Sequence, residues 1–359
     1  MRLLLVTRGF PPRVGGVETL CRQLAEGFAG RGAEVTVVTY GGPADGVPDG
    51  PAGGTPYRVL RLPSAGDVFE WSWRLPGTLR RQRFDVCHVH NLHATVAAGV
   101  WLAGCRPYLL TAHYHRGGHT PAARLVHPGY RLLARRVIGA ADAVTAVSDI
   151  EAALLRADFG VEAEVIPNGI ERIRRRTAVP ADPPTLLVVS RLVAYKRVDA
   201  VVAALAGLPG YRLHIVGDGP ERAALLDLAA RLGVGDRVRL TAHRLTDEEI
   251  ADLLGTATVY VNLSGAEAFS YTVLEALGAG TPVVVGRAEA LAEWARRFPG
   301  AVLAADPDRP AQVASVVQRL AGRPVDVDLD DYALPAILDR YQRVYDRLRA
   351  RELRPSGTG

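Results

Sequence analysis

At 359 residues the chain is about twice the usual size of one domain, and 48% hydrophobic with 23% charged residues suits a soluble protein with two cores. The net charge of +5 is dispersed apart from Arg172, Arg174, Arg175 and Arg176, which argues against a dedicated nucleic-acid binder and suits anionic small substrates or weak attachment to an acidic membrane surface. Three cysteines without metal-ligand spacing, no signal-peptide pattern and no run of roughly 18 apolar residues point to a reducing, cytoplasmic setting without a membrane span.

Leu3–Val6 is a buried-strand run, followed by the loop Pro11–Gly16, an amphipathic helix from about Val17 to Arg31 and a second strand at Val35–Thr39. Further strands are predicted at Val86–Val89, Tyr108–Thr111 and Ala143–Val147, and the Gly/Pro/Asp-rich residues 41–56 read as a surface loop. The grammar restarts after Pro180–Pro184. Strands at Leu186–Ser190, Leu213–Val216, Val238–Leu240, Val259–Leu263 and Pro282–Val285 alternate with helices at Val198–Leu205, Pro220–Leu232, Asp247–Leu254 and Tyr271–Leu277. Alternation of this kind implies parallel sheets with right-handed crossovers. The expectation is an α/β protein of two doubly wound domains, 1–170 and 181–333, joined by a linker from about Pro167 to Pro184. A last amphipathic helix, about Leu334–Arg351, is placed to pack back on the first domain. Open α/β sheets bind ligands beyond the carboxyl ends of their strands, so a site is expected in a cleft between the lobes.

The residues with chemistry follow strands. Glu267 comes after Val259–Leu263, and Glu275 lies about two turns into the next helix, with Ser270 as its expected N-cap. On spacing alone the two carboxylates read equally as a ligand grip or as a loop residue and an exposed helix residue. Arg191 and Lys196 follow Leu186–Val189. A guanidinium fork and a compact ammonium suit a diphosphate, whose negative charge grows as it leaves a sugar; the bland alternative is two solvated cations. Lys196 is the only lysine in the sequence, which weighs against that alternative. Gly15-Gly16 allows close backbone approach after the first strand, without the Gly-x-Gly-x-x-Gly series of dinucleotide enzymes. Gly217-Asp218-Gly219-Pro220 ends another strand, with Pro220 expected at the first helical position.

Among the histidines, His88, His90 and His93 lack ligand-spaced carboxylates or cysteines, so no metal site is expected. His113 and His115 follow Tyr108–Thr111, and His113 is placed to hydrogen-bond a sugar or a phosphate. Asp326-x-Asp328 lies in a polar tail and is discounted as a metal motif.

These pieces together resemble the retaining glycosyltransferases of family 4, with the GT-B architecture of two Rossmann-like domains facing a central cleft. The resemblance rests on Gly15-Gly16-Val17-Glu18, Val165-Ile166-Pro167-Asn168-Gly169, Ser190-Arg191-Leu192 with Lys196, Val216–Glu221, and Glu267-x7-Glu275-Ala276-Leu277 through Val283. It implies catalytic roles for His113, Arg191, Lys196 and Glu267. It further implies donor contacts from Gly15, Gly16, Gly217, Arg244, Leu245, Phe269, Ser270, Tyr271, Thr272 and Glu275, the last holding the ribose. Chemistry of this kind is implied to need no metal and no cofactor beyond a nucleotide-sugar co-substrate, UDP-sugar favoured over GDP-sugar. The resemblance also implies front-face attack in which the leaving diphosphate helps to take the acceptor's proton.

The chain departs from the family pattern at Ala268-Phe269-Ser270, where Gly-Phe-Gly is common, at Leu240–Arg244 before the base-binding loop, and at Gly286-Arg287-Ala288. The expected function is sugar transfer to a hydroxyl acceptor, a small soluble metabolite being favoured. The alternatives are a membrane-lipid acceptor, reached through the arginine-rich segment Arg124–Arg136 that reads more readily as a solvated surface helix, a polysaccharide acceptor, a nucleotide-sugar epimerase, and a non-catalytic nucleotide-sugar binder. No nucleic-acid partner is expected, and membrane contact is not favoured.

Overall fold

The computed structural model describes residues 1–13, 15–41, 56–66, 70–92, 95–114, 132–171, 181–287, 289–323 and 325–352. His93, His115, Ala288, most of the predicted 41–56 loop, Arg124 through residue 131, and the arginine cluster at 172–176 lie outside them. The chain divides into two compact units, Met1–Gly169 with Leu334–Gly359, and Ile170–Ala333.

In the first unit the strands are β1 (Arg2–Val6), β2 (Glu34–Tyr40), β3 (Arg58–Leu62), β4 (Val86–His90), β5 (Tyr108–Thr111), β6 (Ala143–Ala146) and β7 (Glu164–Val165). They form one parallel sheet in the order β3-β2-β1-β4-β5-β6-β7. Leu3, Leu4, Leu5 and Val6 are all buried, because a central parallel strand is covered on both faces and therefore reads as an unbroken apolar run. The helices α1 (Gly16–Gly30), α2 (Leu75–Arg80), α3 (Thr95–Ala103) and α4 (Asp149–Phe159) lie in the connections β1–β2, β3–β4, β4–β5 and β6–β7. Leu20, Leu24 and Phe28 recur every fourth residue of α1 and bury one stripe of it.

The second unit repeats the pattern. Its elements are β8 (Thr185–Val189), α5 (Val198–Leu205), β9 (Arg212–Val216), α6 (Arg222–Arg231), β10 (Val238–Thr241), α7 (Asp247–Thr256), β11 (Val259–Asn262), α8 (Tyr271–Gly278), β12 (Val283–Val285), α9 (Glu289–Arg297), β13 (Val302–Ala304) and α10 (Pro310–Leu320). The sheet order is β10-β9-β8-β11-β12-β13, again parallel. In each unit the order reverses beside the first strand, between β1 and β4 and between β8 and β11. Crossovers leave that point in opposite directions, which opens a crevice at the carboxyl edge where ligands bind such sheets. Two expectations are corrected. Pro220 sits in a turn, with Glu221 capping a helix that starts at Arg222. Sequence patterning leaves 286–333 without elements, whereas the structure adds α9, β13 and α10.

Helix α11 (Leu334–Glu352) belongs to the first unit. It approaches α1 closely at Gly27, where an added Cβ would lie 2.4 Å from Leu338 Cδ1. Tyr345 packs on Phe28 with ring centroids 5.0 Å apart, and Arg31 pairs with Asp339 at 2.7 Å. At the boundary, Ile170 and Ala333 form a parallel bridge within the second unit.

One buried carboxylate ties two loops of the first sheet together. Ser148 caps α4 by accepting the Glu151 N–H at 3.2 Å, and the Glu151 carboxylate accepts the N–H groups of Val147 and Tyr114, each at 2.7 Å. Burial pushes this carboxyl up to about 7, against the pull of its two backbone donors. Replacement by alanine strands two buried donors, so Glu151→Ala is expected to lose about 2–5 kcal/mol in denaturant unfolding. A carboxyl near 4.5 when unfolded and near 7 when folded holds its proton more tightly in the native state. Unfolding free energy therefore falls as pH rises between those values, by about 3 kcal/mol at most from this residue, and Glu151→Gln flattens that slope.

Candidate active site

The loop leaving β8 is clamped by the loop leaving β9. Ser190 N–H donates to the Val216 carbonyl at 3.0 Å and Leu192 N–H to the Asp218 carbonyl at 2.9 Å. Gly217 has φ +144°, and an added Cβ would lie 1.8 Å from the Ser190 carbonyl oxygen, so no side chain fits there. Gly217 is therefore a strut under Ser190 and Arg191. The Arg191 guanidinium is exposed and donates to the Tyr195 hydroxyl at 2.8 Å, while Lys196 Nζ stands 5.4 Å from the centre of the Tyr195 ring.

Lys196 forms an ion pair with Glu267 from the loop after β11; the two side chains are 15% and 16% exposed. Around it, Gly265 N–H donates to the Tyr195 carbonyl at 2.7 Å, and Asn262, the last residue of β11, donates to Ser270 Oγ at 3.0 Å and to Glu267 Oε1 at 3.5 Å. Arg191, Lys196, Glu267 and Ser270 are thus linked by two residues that sequence reasoning missed, Tyr195 and Asn262. Asn262 had a usable signal, a polar residue ending an apolar strand at the sheet's carboxyl edge.

Ser270 occupies the N-cap position of α8, but its hydroxyl caps nothing in the helix, which corrects the expectation. Its φ of +77° is left-handed, the conformation that glycine adopts without strain. Phe269 is an anchor and not an open surface. It is 6% exposed, its ring lies edge-on to Trp294 at 5.2 Å, and its carbonyl accepts Trp294 Nε1–H at 2.6 Å. Tyr271 and Thr272 open α8 half-buried, and Thr272 meets the hydroxyl of Tyr260, whose ionisation burial pushes up. Glu275 lies in the second turn of α8, after Ser270, and desolvation of its carboxyl, with the negative charge of Asp247 second, raises it to about 7. Arg244 and Leu245 lie between β10 and the Thr246–Glu249 capping box of α7. Among the described residues no hydrogen bond joins them to the Lys196–Glu267 network.

Gly15, Gly16 and His113 belong to the first unit. Gly15 caps α1, and a Cβ on it would lie 2.3 Å from Glu18 Oε2, so the glutamate is folded against its backbone. His113 follows β5 with φ +47°, is 6% exposed, and places Nε2 3.3 Å from His90 Nδ1. The rings of His88, His90 and His113 lie side by side, and among the described residues no group of three or more histidines, cysteines or carboxylates could hold a metal ion. Asp328 accepts the Asp330 N–H at 2.9 Å in a local turn.

Gly217→Ala is expected to destabilise the second unit by several kcal/mol, about 3 or more, because backbone meets backbone. Ser270→Gly relieves a left-handed side chain but gives up the Asn262 hydrogen bond and adds unfolded-state freedom, so it is expected to stay within about 1 kcal/mol of the parent. Thermal unfolding of the two variants beside the parent checks both magnitudes.

Residues 14–174 match the profile of Glycosyltransferase Family 4 and residues 169–333 that of the glycosyl transferases group 1. The GDP-mannose-dependent alpha-(1-6)-phosphatidylinositol monomannoside mannosyltransferase of Mycobacterium tuberculosis is 31% identical over 325 residues, 79% of this chain and 80% of that one. The D-inositol 3-phosphate glycosyltransferase of Acidothermus cellulolyticus is 32% identical over 299 residues, 73% of this chain and 61% of that one. Among solved structures, sucrose-phosphate synthase from Thermosynechococcus elongatus superposes with a TM-score of 0.80 at 23% identity, covering 98% of this chain and 99% of that one. Anabaena HepE with UDP-glucose gives 0.76 at 18% identity, covering 97% and 100%. These likenesses show the GT-B fold.

Proposed function

Because the chain belongs to the family 4 glycosyltransferases, we propose that it moves a sugar from a nucleoside-diphosphate sugar to a hydroxyl of a small polar acceptor, with retained anomeric configuration. The observation that carries this reading is the Lys196–Glu267 pair beside the exposed Arg191 guanidinium at the switch point of the second sheet. The bond from the sugar's C1 to the terminal phosphate oxygen breaks, and a bond from C1 to the acceptor oxygen forms on the same face. The acceptor's proton passes to the leaving diphosphate. Arg191 and Lys196 meet the charge that builds on that diphosphate, in a setting with little water around Lys196. Glu267, held by Lys196 and Asn262, presents its carboxylate to the donor's sugar hydroxyls, and Glu275 accepts from the ribose. The start of α8 adds backbone N–H groups toward the phosphates. For His113, in the first unit, the proposed role is a hydrogen bond to a sugar oxygen.

The relatives' names bear on both substrates. UDP-glucose accompanies one structural neighbour, while the mannosyltransferase uses GDP-mannose; a UDP-sugar is the favoured donor. Phosphatidylinositol monomannoside, inositol 3-phosphate and 2-deoxystreptamine, named for three relatives, all carry a polyhydroxylated ring. A free ring polyol of that kind is the proposed acceptor. Among the described residues no helix is long and apolar enough to cross a membrane.

A thermal-shift screen with UDP, GDP, ADP and dTDP tests the donor grip. At about a hundredfold excess over Kd, bound nucleotide adds about 2.7 kcal/mol, a rise of roughly 5–10 °C in the unfolding of the second unit. One diphosphate is expected to give that rise and Glu275→Ala to abolish it. No rise with any of the four contradicts the reading.

A further inference from the structure

The first unit buries three imidazoles in a row at the carboxyl ends of β4 and β5. His88 is fully satisfied: Nδ1 faces the Tyr345 hydroxyl at 2.8 Å and Nε2 faces Thr111 Oγ1 at 2.7 Å. His90, two residues on, points to the same side of the strand and stacks on it with ring centroids 4.0 Å apart. Its Nδ1 meets His113 Nε2, but its own Nε2 is buried and has no hydrogen-bond partner among the described residues. Both ends of the contact are held by backbone. Asn91 and His113 each take left-handed φ, +77° and +47°, while Asn91 N–H donates to the Thr111 carbonyl at 2.9 Å and Leu92 N–H to the Ala112 carbonyl at 2.8 Å.

The orphaned nitrogen decides where the protons sit. Burial, together with the neighbouring histidines, holds His90 well below the usual imidazole range, so it is neutral and carries one proton. Were that proton on Nε2, a donor would be buried with no acceptor, an arrangement that native interiors rarely contain. On Nδ1 it has an acceptor, the Nε2 lone pair of His113. The neutral form of His113 then carries its own proton on Nδ1.

We propose that His90 is a positioning residue that fixes His113 in its Nδ1–H tautomer by donating to His113 Nε2. His113 accordingly serves as a hydrogen-bond donor, through Nδ1–H, and not as a base. Its use on a sugar oxygen rests on the glycosyltransfer reading above, whereas the tautomer itself does not.

Nitrogen NMR of the full chain with 15N-labelled histidine reads the tautomer, the His113→Asn spectrum identifying the resonances. The parent is expected to show His113 as Nδ1–H. His90→Phe keeps the ring volume, removes the donor and is expected to move the His113 proton toward Nε2. It is also expected to lower kcat about tenfold while donor KM changes less than twofold. His90→Asn places an amide N–H where Nδ1 stood and restores both the tautomer and most of kcat. A parent His113 protonated on Nε2 overturns the proposal by itself, as does a His90→Phe spectrum that keeps the Nδ1–H form. If the tautomer shifts as described while neither parent nor variants transfer sugar, the transferase reading fails and the positioning role of His90 stands.

Discussion

The ion pair between Lys196 and Glu267 joins the loop leaving β8 to the loop leaving β11, the two strands between which the second sheet reverses its order. Its contribution to stability is small, because desolvating two charges offsets most of their attraction. Its consequence is positional. A partly buried ammonium with a fixed carboxylate partner stays where a diphosphate will arrive, and a fixed charge needs no reorganisation when negative charge develops beside it. The surrounding contacts all serve that placement: Gly265 on the Tyr195 carbonyl, Asn262 between Glu267 and Ser270, and Gly217 pressed under Ser190.

Both units solve the same problem with the same means. A loop at the carboxyl edge of a parallel sheet must turn sharply into a crossover, and the backbone turns sharply through left-handed residues. In the second unit these include Arg197, Gly217 and Ser270, and in the first Asn91 and His113. At Ser270 and His113 a side-chain contact accompanies the strain: Asn262 donates to Ser270, and His90 meets His113. Strained residues persist where neighbours over-determine them, and here they stand among the groups proposed to meet the donor.

The sheets are largely legible in the sequence because central parallel strands are unbroken apolar runs, as in Leu3–Val6 and Leu186–Val189. The edges are not. β3, Arg-Val-Leu-Arg-Leu after a Gly/Pro-rich loop, breaks its apolar run with arginines three apart, and β13 has three residues, too few for periodicity to register. Arg191, Lys196 and Glu267 are legible as charged residues directly after strands. Their linkage is hidden, since a contact across 71 positions, as between Lys196 and Glu267, leaves no local trace. The serine in place of the family's glycine reads as a change in backbone freedom, whereas the structure keeps the glycine-like turn and gives the new hydroxyl a partner. Glu151 shows the opposite case, for Ser148-x-x-Glu151 is a visible capping pattern whose second use, holding the Tyr114 N–H, needs the fold.

Charge placement at the diphosphate is the centre of this account, and equilibrium binding measures it directly. Titration of the parent and of Lys196→Ala with the nucleoside diphosphate and monophosphate of the recognised base compares the two ligands by one phosphate. The parent is expected to prefer the diphosphate by at least about tenfold, and Lys196→Ala to diminish this preference severalfold while binding the monophosphate nearly unchanged. An undiminished preference in Lys196→Ala would contradict the account.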